Sequence, residues 1–420
     1  MSALQGRWRD ESNVKILVLS KHPPMCGGVS SHTHALTVGL VAAGHSVCVV
    51  THALCCGPEY ATARELVLSE PCAWSGVKVR FVDPDVCPPQ LPASDKFVSR
   101  VTSLAMEEAA DGAYDVVFSH YMEPYGVAAF LGSRLLGIPW VHRHAGSDLV
   151  TLGESPALGP LYRELLRTSS MVVACPDLHD YFLSLGVRRE RLKAAPLFVP
   201  DPAVFSPEGP PAAWANLPAV TGAPPPPDHV PLVLMYGKTG NHKGQVDLIR
   251  AAAQIKQSFF LLFVTSSVRH EWLLRQAAHF GIESGVACLP FLPNWLIPGL
   301  IRRSAVACQL EHDFPIRLHR SAIPYEIMTC GGCLMVSTEI YGKQLKWLGA
   351  EDGTHLCVVA PVEVDSLART LDHLLREASL RQRIAEQGRQ LILQATSHAA
   401  FVRGYEQLFA ELRSQQCPTT

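Results

Sequence analysis

No apolar run in this 420-residue chain approaches the ~20 residues that a membrane-spanning helix needs. Charge of one sign does not dominate either. The 36 lysines and arginines stand against 38 aspartates and glutamates, leaving a formal net charge of −2. That balance offers no field for nucleic acid or for an anionic membrane surface. A secretion signal is also missing, since the first thirteen residues are polar and the apolar run after them is only strand-sized. The thirteen cysteines are scattered through apolar strands and loops. Cys330-Gly-Gly-Cys333 has CxxC spacing, but a second ligand pair is missing, so no metal is expected. Reduced cysteines and the missing signal point to a cytoplasmic protein.

What the chain does have is apolar mass and alternation. At 48% hydrophobic residues it can bury a core in each of the two domains its length predicts. Strand-like runs at Val14–Ser20, Val47–Thr51, Val116–Phe118, Trp140–His142, Met171–Ala174 and Ala194–Val199 alternate with helical periodicity. A second series carries runs at Leu232–Leu234, Phe259–Thr265, Ala287–Phe291, Ala305–Leu310, Cys333–Ser337 and Leu356–Val359, then a mostly helical tail from Asp365. This pattern predicts an α/β protein with two doubly wound, Rossmann-like domains facing a cleft. The expected boundaries are residues 1–206 for the first domain and 232–395 for the second. A helix and tail at 396–420 would pack back on the first domain. Between the domains, residues 207–231 contain nine prolines, a composition that reads as a linker without packed elements.

Four segments could carry chemistry. Gly27-Gly28 separate a strand from a helix, where free N–H groups and a positive dipole end can meet an anion. A bare Gly-Gly turn is equally a plain connection. Lys238 and Lys243, in YGKTGNHKG after the first strand of the second half, could hold a diphosphate; solvated loop lysines are the alternative. In VHRHAGSD, the residues His142, Arg143, His144 and Asp148 are too polar for a buried strand and are expected to face the cleft; a zinc site on the histidines and a simple surface loop are the alternatives. His32 and His34 are read as cleft-lining or solvated rather than metal-ligating. In IPYEIMTCGG, Glu326 sits in a first helical turn, where a carboxylate either complements the helix dipole or accepts from a sugar diol. Trp295 with Leu296–Ile301 reads as a short amphipathic surface, the one candidate for peripheral membrane contact.

These pieces, in this order, resemble the retaining GT-B glycosyltransferases, particularly glycosyltransferase family 4, from about Val14 to Leu412. GGVSSHTHALTVGLVAAGHSVCVVT is similar to the family's first glycine loop, helix and second strand. HRHAGSD is similar to its His-Gly-x-Asp segment, YGKTGNHKGQVDLIRAA to its diphosphate loop, and IPYEIMTCGG to its Glu-Ala-Met-Ala-Cys-Gly helix. The resemblance implies a nucleotide-diphosphate-sugar donor bound mainly by the second half and an unidentified acceptor bound by the first. It also implies a retained anomeric configuration and neither metal nor resident cofactor. Gly27 and Gly28 would face the donor diphosphate, His144 the transferred sugar, and Glu326 the donor ribose. Lys238 stands where the family has arginine, keeping charge but losing the bidentate fork, and Lys243 keeps the family's lysine. The family's further glutamate, ahead of Glu326, is replaced here by Leu318, leaving Glu311, Asp313, His319 and Arg320 as candidate equivalents, with His319 preferred and then Glu311. A catalytically silent relative that binds a nucleotide sugar or a protein partner is the reading Leu318 would favour. A nucleotide-sugar epimerase or a phosphorylase would share the cleft, without a motif in their favour.

Overall fold

Strands covered on both faces have no use for alternating polarity and read as unbroken apolar runs. KILVLS (β1, Lys15–Ser20) and SVCVVT (β2, Ser46–Thr51) have that character, and in each only the first residue is exposed. The structure is a computed structural model describing residues 13–62, 66–67, 74–83, 93–145, 149, 155–316 and 319–416. Asp148 and Leu318 fall outside the described residues.

The first sheet is completed by β3 (Lys78–Phe81), β4 (Val116–His120), β5 (Trp140–Arg143), β6 (Met171–Ala174) and β7 (Leu192–Ala194). Its order is β3-β2-β1-β4-β5-β6-β7, parallel throughout. The second contains β8 (Thr221–Gly222), β9 (Leu232–Tyr236), β10 (Phe260–Val264), β11 (Val286–Leu289), β12 (Val306–Gln309), β13 (Leu334–Ser337) and β14 (Cys357–Val359). Its order is β14-β13-β12-β9-β10-β11-β8, with β8 alone antiparallel. In both sheets the chain winds outward from a central strand, β1 or β9, and then returns to that strand's other side. The reversals at β1/β4 and β9/β12 open a crevice at the strands' carboxyl ends, where doubly wound folds bind ligands. Each sheet is packed on both faces by its own pair of apolar clusters.

Several details differ from the sequence reading. The proline-rich segment is packed: Trp214 lies edge-on to Phe260 at 6.5 Å, the Ala212 N–H donates to the Gly299 carbonyl, and β8 pairs with β11. Proline removes donors, but the alanines and glycine between the prolines still supply N–H groups for an edge strand. Of the run at Ala194–Val199, only Ala194 lies in a strand, the last residue of β7. The apolar residues of the helix Ile297–Arg303 are buried in the second half, so they form core and not a surface. Cys330 and Cys333 pack into clusters on opposite faces of the second sheet.

The last helix, His398–Gln416, belongs to the packing of the first half. Phe401, Val402, Tyr405, Phe409 and Leu412 are buried with Ile16, Val18 and Phe118. His45 Nε2 meets Glu406 Oε1 at 3.0 Å, and Lys193 forms an ion pair with Glu411.

Candidate functional site

A cavity of about 860 Å³ lies at the carboxyl ends of both sheets. Gly27, Gly28, Arg143 and His144 line it from the first half, and Lys238, Lys243, Glu311, His319 and Glu326 from the second. Residues separated by up to about 300 positions therefore share one wall space, because both switch points open toward it.

Gly27 precedes the helix Gly28–Ala42 with φ 118° and ψ 165°, a backbone region that glycine enters and side-chain-bearing residues do not. A Cβ added at Gly27 would lie 3.8 Å from Lys238 Cε, so the glycine loop of one half and the lysine of the other face each other. Among the described residues, and apart from its own chain neighbours and helix backbone, nothing lies within 4 Å of the corresponding position on Gly28. The start of a 15-residue helix is thus open at the cavity, with N–H groups and dipole available to an anion.

Lys238 and Lys243 flank a tight loop after β9. Gly244 closes it at φ 80°, where a Cβ would stand 2.4 Å from the Leu310 carbonyl oxygen. Lys238 Nζ sits 4.7 Å from the centre of the Tyr60 ring across the cleft. Crowding by protein, opposed by Cys26 and aided by the nearby Lys243 charge, lowers the Lys238 pKa. Lys243 is not a free cation. Its ammonium forms an ion pair with Glu311, whose other oxygen, Oε1, meets His319 Nδ1 at 3.1 Å. Phe314 covers Lys243 from the side, 3.9 Å from its ring centre. Burial pushes the Glu311 carboxyl upward, but His319 and Lys243 outweigh it and hold the group below its ordinary range. The two residues preferred in place of the family's glutamate are thereby joined in one network with Lys243.

Glu326 is buried in the first turn of the helix Ile323–Thr329, and the Tyr236 hydroxyl donates to its Oε2 at 2.9 Å. Burial pushes the Glu326 pKa up to about 7, with the Tyr236 hydrogen bond acting the other way. His144 is also buried, against Phe182 at 5.3 Å, and burial together with the Arg143 charge lowers its pKa to about 3. It is therefore a neutral imidazole at physiological pH.

Not every polar residue of VHRHAGSD reaches the cleft. His142 lies inside β5 and is fully buried, with Nδ1 3.0 Å from Ser119 Oγ. Its neighbour Arg143 does line the cavity, since successive strand residues point to opposite faces. Of the two helix histidines, His32 lines the cavity, whereas His34 packs against His22 and Trp295 at 5.6 and 5.7 Å. Arg320, one of the residues near the Leu318 position, donates to Asp177 Oδ2 at 2.7 Å and so bridges the two halves. His120 and Tyr236 also line this cavity, and Tyr405 stands behind its wall as the acceptor for Arg143 Nε. Tyr236 adjoins the lysine loop in sequence, but no local signal marks Tyr405.

Residues 27–197 match the glycosyl transferase 4-like domain family, and residues 222–391 match glycosyl transferases group 1. The chain belongs to the GT4-like, GT-B glycosyltransferases. No curated protein matches its sequence. Solved structures agree with this glycosyltransferase in fold. A glycosyltransferase from Rickettsia africae aligns with TM-score 0.65 at 15% identity, over 96% of this chain and 99% of that one. Sucrose-phosphate synthase from Thermosynechococcus elongatus aligns at 0.67 and 15%, over 96% and 100%. The Anabaena protein HepE, in complex with UDP and glucose, aligns at 0.67 and 17%, over 95% and 100%. Among the described residues no helix is long and apolar enough to cross a membrane.

Proposed function

We propose that this glycosyltransferase moves a sugar from a nucleoside-diphosphate donor to an acceptor, retaining the anomeric configuration and using lysine charge rather than a metal. One observation carries the reading: Gly27-Gly28, Lys238, Lys243 and Glu326 converge on a single cavity between the two sheets. Glu326 accepts from the donor ribose hydroxyls. The helix start at Gly28 and the two ammonium groups surround the diphosphate and stabilise its growing charge as the sugar–oxygen bond breaks. Neutral His144 stands at the first-half wall, where it can hydrogen-bond the sugar without repelling an oxocarbenium-like centre. Closure of the halves would exclude water from that centre. The HepE complex with UDP and glucose supports the donor class, and the motif resemblance through HRHAGSD, Lys243 and Glu326 supports retention.

Glu311 complicates Lys243's part. Before a donor arrives, the carboxylate already occupies the ammonium, so the diphosphate must share or displace it. This pairing, with Leu318 at the family's glutamate position, favours a second reading in which the protein binds a nucleotide sugar without turning it over.

Calorimetry with a panel of nucleotides, followed by product mass spectrometry and anomeric NMR with nucleotide sugars, separates these readings. Acceptor-dependent release of nucleoside diphosphate is expected. Binding without release supports the silent protein, and failure of every nucleotide to bind overturns both.

A further inference from the structure

Arg143 emerges from β5 at the cavity wall, half-buried, with a set of partners that are all neutral. Its Nε donates to the Tyr405 hydroxyl at 2.8 Å and its Nη1 to the His144 carbonyl at 2.9 Å, while Nη1 lies 2.6 Å from His120 Nε2. Burial and the Arg143 charge hold the His120 pKa well below its ordinary range, so this ring accepts rather than adding charge. Nη2 makes no hydrogen bond among the described residues, and the guanidinium's partners there are a hydroxyl, a carbonyl and an imidazole rather than a carboxylate. Of the cavity's other cations, Lys243 has Glu311, Arg320 has Asp177 and Lys343 has Glu339, whereas Lys238, assigned above to the donor diphosphate, faces the Tyr60 ring. A half-buried cation with only neutral partners carries a desolvation cost that a bound anion would offset.

The donor diphosphate is not that anion. In the sheet order β1-β4-β5, Arg143 stands two strands from the loop that carries Gly27 and Gly28, roughly 10 Å at the usual strand spacing. It lies in the half opposite Lys238 and Lys243.

We propose that Arg143, oriented by Tyr405 and His120, binds an oxyanion on the acceptor, so that the acceptor is a phosphorylated or carboxylated molecule and not a neutral sugar. The inference rests on the glycosyltransferase reading of this cavity. Tyr405 acts through Arg143 and is a positioning residue: the last helix, packed on the first half, supplies the hydroxyl that directs the guanidinium.

The test titrates inorganic phosphate, and separately acetate, into the full chain saturated with UDP, which fills the diphosphate site. One remaining anion site is expected, weakened at least tenfold in Arg143→Gln and less in Arg143→Lys. UDP affinity should change less than twofold in both variants. The better of the two probes identifies the oxyanion. Absence of a second site at saturating UDP overturns the proposal, as does equal anion affinity in Arg143→Gln. A purely structural arginine would lower the melting temperature of both variants and leave anion affinity unchanged. If UDP itself does not bind, the donor reading fails separately. The phosphate titration is then compared between Arg143→Gln and Lys243→Ala, and loss only in the latter overturns the Arg143 site.

Discussion

The Tyr236 hydroxyl donates to Glu326 Oε2 at 2.9 Å, joining the end of β9 to the first turn of a helix 90 residues later. Burial raises the Glu326 pKa from 4.5 to about 7, and Tyr236 is the partner that limits the rise. A ribose diol donates two charge-assisted hydrogen bonds to the carboxylate, whereas the acid is a weaker acceptor and turns one oxygen into a donor. UDP affinity is therefore expected to increase about tenfold from pH 6 to pH 8 as the ionised fraction grows, which calorimetry in matched buffers would measure. Glu326→Gln should flatten that profile. Tyr236→Phe should move its midpoint upward. Stability has the opposite sign: the folded pKa lies above the unfolded one, so Glu326's contribution is full below about pH 4.5 and is lost as pH rises through about 7.

Lys243 bears on both function and folding because Glu311 is fully buried beneath it. Lys243→Ala should lower turnover by roughly 10²-fold, the scale of one lost charge stabiliser. It should also destabilise the fold by about 1–3 kcal/mol, since among the described residues the buried Glu311 carboxylate then retains only His319 as a side-chain partner. Lys243→Ala combined with Glu311→Gln should recover most of that stability and none of the turnover. Thermal melts beside initial rates would check this. Additive losses of stability would refute the coupling.

The two glycines of the first loop should respond differently to alanine. At Gly27 the backbone conformation itself resists a side chain, at a cost of about 1–3 kcal/mol. At Gly28 an added Cβ would meet nothing within 4 Å among the described residues beyond its own local backbone, so alanine should leave the melting temperature unchanged and still weaken UDP binding several-fold by obstructing the approaching phosphate. Equal UDP affinity in Gly28→Ala would remove this loop from the donor site.

Asp177 and Arg320 tie the halves together on the rim, with side chains 57% and 31% exposed. Such a pair is worth roughly 0–1 kcal/mol and is screened by salt. Asp177→Asn should therefore alter UDP affinity by less than about fivefold at low salt and not at all in concentrated salt. Trp347, whose ring centre lies 5.7 Å from the Arg320 guanidinium, provides a fluorescence reporter for the same titration. A large effect that persists in high salt would mean that Asp177 touches the ligand.

Much of the site was legible because strand, glycine turn and helix are local patterns. Gly27-Gly28, Lys238-Lys243 and Glu326 each lie where such a pattern meets a strand's carboxyl end, and the fold brings them to one cavity. The errors came from side-chain direction and distant packing. His142 reads as polar and cleft-facing, yet strand alternation turns it onto Ser119. The proline-rich segment reads as a bare linker, yet its alanines and glycine settle on the second half's edge.

The order of apolar runs and breakers by itself determined two doubly wound sheets, since local hydrophobic period decides strand or helix and the connections follow. Which charges stand paired was decided only by tertiary structure. Lys243 lies 68 residues from Glu311, and Arg143 lies 262 residues from Tyr405. Electrostatic partnership depends on distance and burial in space, and neither is encoded in the neighbourhood of a residue along the chain.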